Sequence, residues 1–216
     1  RDDKFPSRPI KIIVPFTPGG TTDVMARAIG QKLNDYWGQP VIVENRPGAA
    51  GWLGITAMAK SPADGYTLGL TISSIIYAKS LYTKLPFDIA NDFEAVSMLS
   101  RSAIGLVVPT QFPADNLQDF VNHLRKNPSK YSYGSCGQGT TAHIFGETLN
   151  RGAKIDQVHV PFKGAMPIVT DLLGAQLTSA FLDVATIKPF VQSGKLKVLA
   201  FTGTQRVAAF PQTPTF

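Results

Sequence analysis

The stretch YGSCGQGTTAH, residues 133 to 143, holds Gly134, four residues, Gly139 and then Thr140-Thr141. A phosphate-cradling loop reads G-x-x-x-x-G-K-[ST]. The glycine spacing and Thr141 fit that pattern, but Thr140 stands where the lysine belongs. A second stretch, Phe16 through Asp23, also places Gly19 and Gly20 before a threonine pair, Thr21-Thr22. Both stretches lie where a strand turns into a helix. A helix N-terminus leaves up to about four backbone N–H groups without intrahelical partners and carries roughly half a positive charge. Glycine allows close backbone approach, and threonine adds a hydroxyl donor or caps the helix. The pattern suits a carboxylate, sulfate or phosphate. A nucleotide site would want the lysine and an acidic residue for Mg²⁺.

Other side chains invite other chemistry. Cys136 at a helix start, with His143 as its base, would suit a nucleophile. No third residue can be assigned to orient His143, and the neighbourhood does not fit the G-x-S-x-G elbow. His123, His143 and His159 have no metal-ligand spacing and there is no second cysteine. A cysteine nucleophile therefore ranks below anion binding on these residues, and a metal site or cofactor below both. Asp23 opens the first helix, where the dipole favours a carboxylate. Asp183 ends a strand, the place where open α/β sheets gather ligands, so it either holds a ligand amino or hydroxyl group or caps the next element. Trp52 either lines a cleft or packs.

The elements that must carry these residues alternate. Strands are expected over 10–16, 40–45 and 66–73, with helices over 23–37 and 51–60. After a mixed segment at 79–95 come strand-like 93–99 and 104–109, then a helix over 116–126. Strands at 130–136, 158–162, 177–184 and 195–203 then alternate with helices at 141–150, 165–173 and 187–194. That order predicts an α/β protein of two lobes, each with a mainly parallel sheet flanked by helices. The chain has 216 residues, 44% of them apolar and 17% charged, which is enough for two cores. Its apolar runs are only a handful of residues, far short of the ~20 that span a bilayer. The net charge of +6 comes from scattered Lys and Arg. That favours small anions over nucleic acid, which would want a clustered basic patch. One cysteine allows no intrachain disulfide.

Several longer segments follow one another in a familiar order: PFTPGGTTDVMAR, GQPVIVENRPGAAG, PADGYTLGL, YGSCGQGTTAHIFGE, VHVPFKGAMPIVTDLLGAQL, GKLKVLAFTGTQR and FPQTPTF. Over nearly its whole length the sequence resembles the solute-binding receptors of tripartite tricarboxylate transporters, the Bordetella uptake gene family. The resemblance implies a monomeric periplasmic receptor with a type II periplasmic-binding-protein (Venus-flytrap) fold and no catalytic residues. Its two lobes would close over a small carboxylate, with bridging waters, and present it to membrane permease subunits. The first lobe would cover 1–100 and the second 101–200, with 201–216 returning to the first and hinge segments near 97–106 and 197–204. The family chain ordinarily continues beyond Pro214-Thr215-Phe216 to complete that lobe. The expected ligand-binding residues are Phe16, Pro18, Gly19, Gly20, Thr21, Thr22, Asp23, Ser135, Gly137, Gly139, Thr140, Thr141, His143 and Asp183. Trp52 stands where the family usually has a small residue. A phosphate- or nucleotide-binding protein and a cysteine-dependent hydrolase are the alternatives.

Overall fold

The computed structural model describes residues 5–216, so the first four residues of the expected first lobe lie outside the described part. The chain divides into two compact units, Arg1–Val96 and Ser97–Phe216.

The first unit opens with β1 (Ile10–Val14), in which Ile10, Ile12, Ile13 and Val14 are all buried. The consecutive buried residues Ile12, Ile13 and Val14 belong to a strand covered on both faces, as a parallel sheet requires. β2 (Val41–Asn45) and β3 (Thr67–Gly69) flank it in the order β2-β1-β3, both parallel to β1. Between β1 and β2 runs α1 (Thr21–Trp37), which ends at Gly38 with φ 65°, a left-handed terminator that glycine adopts without strain. Ala26 of α1 packs with Ile12 and Val14 to form the core, joined by Val41, Val43, Leu68 and Leu70. Trp37, at the helix end, meets Phe5 edge-on.

β2 leads through a short turn into α2 (Trp52–Ala59), and β3 into α3 (Ser74–Leu81). The sequence reading did not anticipate α3: it ended the strand at 73, assigned nothing to 74–78 and took 79–95 as mixed. The expected strand at 93–99 is likewise not a strand. Val96, Met98 and Leu99 are exposed there, and no described strand lies alongside to complete a ladder.

The second unit contains β4 (Ile104–Pro109), α4 (Leu117–Lys126), β5 (Tyr131–Ser135), α5 (Thr141–Ala153) and β6 (Gln157–Pro161). It continues with α6 (Ala165–Leu173), β7 (Ser179–Asp183), α7 (Val184–Gln192) and β8 (Leu196–Phe201). The sheet order is β6-β5-β7-β4-β8. β5 runs parallel to β6 and β7, whereas β4 runs against both β7 and β8. Successive residues of β4 and β7 feed opposite faces: Leu106, Val108 and Phe181 join one apolar cluster, and Val107, Ala180 and Leu182 the other.

The residues after β8 make contacts within this unit. Phe201 N–H donates to the Pro214 carbonyl (2.9 Å), and Phe216 N–H to the Phe201 carbonyl (3.1 Å). The Phe216 ring stacks on Phe181 at 6.0 Å. The tail thus has backbone partners on β8 itself.

Candidate functional site

In the first unit, β1 reaches α1 through Pro15-Phe16-Thr17-Pro18-Gly19-Gly20. Gly19 has φ 87°, which an L side chain would resist, and its N–H donates to Asp23 Oδ2 at 2.9 Å. Asp23, only 3% exposed, is the anchor of the turn. Its carboxylate also accepts from Arg27 Nε (3.0 Å) and from Asn45 Nδ2 (2.9 Å). Asn45, at the end of β2, reaches further, donating to the Phe16 carbonyl at 3.1 Å. Burial alone would raise the Asp23 pKa, but Arg27, the Gly19 N–H and Asn45 outweigh it and hold it below the ordinary carboxylate value.

Asp23 is therefore spent on its own loop. Phe16 is buried beneath Gly51, whereas Pro18 and Gly19 are exposed. The helix begins at Gly20 with no side-chain cap, and Thr21 and Thr22 are half-buried in the first turn. Capping by Thr22 does not occur.

In the second unit, β5 reaches α5 through Cys136-Gly137-Gln138-Gly139-Thr140, with φ 128° at Gly137 and 79° at Gly139. Ser135 Oγ accepts from the Gly137 N–H (3.1 Å) and donates to the Gly137 carbonyl (3.0 Å). With its single proton so placed, it accepts from His159 Nε2–H at 2.6 Å. Thr140 Oγ1 donates to the same carbonyl at 2.7 Å. Thr140 is the N-cap residue of α5 but caps it with no side-chain bond, and Thr141 lies inside the helix. Capping by Thr141 is not its role either.

The Gly139 N–H donates to His143 Nδ1 at 3.0 Å, so that nitrogen carries no proton. His143 stacks on His159 with centroids 4.0 Å apart. Burial, and then the proximity of His143, push the His159 pKa down to about 4. Beneath them Tyr133, fully buried, donates to Glu147 at 2.7 Å.

These contacts bear on the alternatives. His143 Nδ1 serves the Gly139 amide, so that nitrogen is not positioned as a base for Cys136. Burial, with the charge of Asp183 second, raises the Cys136 thiol to about 12, the opposite of an activated nucleophile. Asp183 sits at the carboxyl end of β7, next to β5, where it caps α7. It accepts from Thr186 N (3.1 Å) and Thr186 Oγ1 (2.8 Å). No group of His, Cys, Asp and Glu among the described residues could hold a metal.

Sequence reading missed Asn45, Arg27 and His159. Arg27 is one helical turn after Asp23 and was findable from that spacing. Asn45 and His159 come from neighbouring parallel strands, and only the register β1–β2 and β5–β6 reveals them. Thr17 and Thr71 also escaped notice: their Oγ1 atoms, with Nε1 of Trp52, are buried without a hydrogen-bond partner among the described residues.

Two α/β units, each with a glycine-bearing strand-to-helix turn at the carboxyl edge of a parallel strand, define the bilobal periplasmic-binding-protein class. Residues 25–216 match the profile of the tripartite tricarboxylate transporter family receptor, and the chain belongs to that family. It is 38% identical over 217 residues to the protein BugT of Bordetella pertussis, covering 99% of this chain and 66% of BugT. The chain thus spans just under two thirds of that relative. The structure of the periplasmic binding protein BugD matches with a TM-score of 0.93 at 31% identity, over 98% of this chain and 71% of BugD. MatC of Rhodopseudomonas palustris, solved with bound malate, matches with a TM-score of 0.91 at 30% identity, over 98% of this chain and 72% of MatC.

Proposed function

We propose that this chain is the receptor part of a periplasmic solute-uptake system and captures a small carboxylate between its two units. The carrying observation is the pair of strand-to-helix turns, each fixed by its own internal bonds and neither helix capped by a side chain. A turn already held in shape binds an anion without a large ordering penalty. Malate bound to MatC supports a carboxylate as the solute class.

In this reading Gly19, Gly20, Gly137 and Gly139 admit the anion to backbone N–H groups. Thr21, Thr22 and Thr141 add hydroxyl donors, and ordered waters bridge the rest. Asp23, Ser135, Thr140 and His143 shape the turns. Phe16 and Pro18 form their walls, and Asp183 lies at the far end of the ligand. The units close about segments 97–106 and 197–204, and the closed monomer docks on membrane permease subunits. The protein performs no chemistry on its solute and takes no cofactor.

A thermal-shift series with malate, succinate, adipate and benzoate, beside inorganic phosphate and ATP–Mg²⁺, tests this. At ligand about 100-fold above its Kd, binding adds roughly 2.7 kcal/mol. For a chain of this size that raises the Tm by about 5–10 °C. A rise with a carboxylate alone supports the receptor. A rise with ATP–Mg²⁺ and none with any carboxylate overturns it.

A further inference from the structure

We propose that Thr17 Oγ1, Thr71 Oγ1 and Trp52 Nε1 form a hydrogen-bonding subsite in the first unit that takes a carboxylate oxygen of the solute. The inference rests on the carboxylate-receptor reading and names residues that would select within it. All three atoms are buried and lack a partner among the described residues. A buried polar group left unsatisfied is costly, so three in one small unit call for an occupant.

The fold brings their elements together around Pro15. Thr17 follows Pro15 by two residues in the turn after β1. β3 pairs with β1 at Ile13↔Gly69, and Leu70 N–H donates to the Ile13 carbonyl at 3.0 Å, so continuing the register sets Thr71 beside Pro15. Trp52 begins α2, which lies close on that segment: a Cβ on Gly51 would stand 3.4 Å from Pro15 Cβ and Phe16 Cζ, and one on Gly54 2.8 Å from Pro15 Cα. The carboxyl ends of two adjacent parallel strands and the start of a helix thus contribute one orphan group each. This is the edge of an open α/β sheet at which ligands gather.

The chemistry of the three atoms fixes the occupant. Indole N–H only donates, and each threonine hydroxyl donates or accepts. Three available donors and no cation suit an acceptor oxygen that other groups help to neutralise. The indole ring itself is held by Tyr82 (5.4 Å, edge-on) and Phe87 (5.7 Å), so it presents its N–H from a braced position and does not serve as a stacking platform.

The test uses the full-length chain and the variants Thr17→Val, Thr71→Val and Trp52→Phe, which remove one donor each and keep shape. Binding of malate, succinate and adipate is measured by titration calorimetry, and melting of each unliganded variant beside it. For the carboxylate that binds the wild type tightest, each variant should weaken Kd about tenfold, since a hydrogen bond to a charged group is lost. The unliganded melting temperature should hold or rise, because an unsatisfied group has gone. Unchanged Kd in all three variants, with the wild type binding, overturns the subsite and leaves the receptor reading standing. Unchanged Kd with a lowered unliganded melting temperature overturns it too, and assigns the atoms to structural water. If no carboxylate binds the wild type, the receptor reading and this inference fall together.

Discussion

His143 and His159 show how one proton can govern a backbone. The Gly139 N–H needs an unprotonated His143 Nδ1, and the His143 ring stacks on His159 with centroids 4.0 Å apart. His159 has an ordinary value of 6.5 and a folded value of about 4. Between those values the unfolded chain binds a proton that the folded chain refuses, so stability rises with pH across the window. The contribution is complete above about 6.5 and is lost as pH falls towards 4. The melting temperature of the wild type should therefore drop over that range, and His159→Gln should drop less. Equal drops in both proteins would reject the assignment. Asp23 runs in the same direction. Its folded pKa is lowered, so its contribution is present above the unfolded value and is lost as pH falls through the folded one. Asp23→Ala strands the Gly19 N–H and Asn45 together. It should cost about 2–3 kcal/mol in a denaturant titration, as loss of a buried charged acceptor does.

Among the elements, close packing at glycines makes the sharpest predictions. Gly54→Ala would put a Cβ 2.8 Å from the Pro15 backbone and 3.0 Å from the Arg46 carbonyl, neither of which can rotate away. Overpacking of this kind costs about 1–3 kcal/mol, read as a lower denaturation midpoint at unchanged slope. Gly146→Ala lands on the Tyr133 ring, fully buried and tied to Glu147, and should cost a similar amount. Local sequence announced most of these elements. The β1 apolar run, the glycine–threonine turns and the α4 face with Phe120, Val121 and Leu124 were all legible, because each signal lies within a few residues. Signals that depend on pairing were not. The 93–99 stretch reads as a strand because it is mostly apolar, yet Val96, Met98 and Leu99 are exposed and no described strand lies beside it. The antiparallel course of β4, and the contacts of Asn45 and His159 across parallel registers, appear only once the sheets are assembled.

For the molecule as a whole, seven segment matches spread over the chain carried the family in sequence alone, and the family profile covers residues 25–216. The course of the last residues was not legible. Aromatic stacking of Phe216 on Phe181 ties them to the second unit, a contact between residues 35 positions apart (216 − 181). The two units also differ in how much apolar surface they bury. Among the described residues, the second has two clusters of ten buried residues each, the first a cluster of three. Hydrogen exchange should therefore be faster in β2 and β3 than in β5 and β7. Both tryptophans of the chain, Trp37 and Trp52, lie in the first and less protected unit. Indole emission thus reads one unit, while far-ultraviolet circular dichroism reads both. In urea the emission curve should run ahead of the dichroism curve. Superimposable curves would mean that the units melt as one cooperative block.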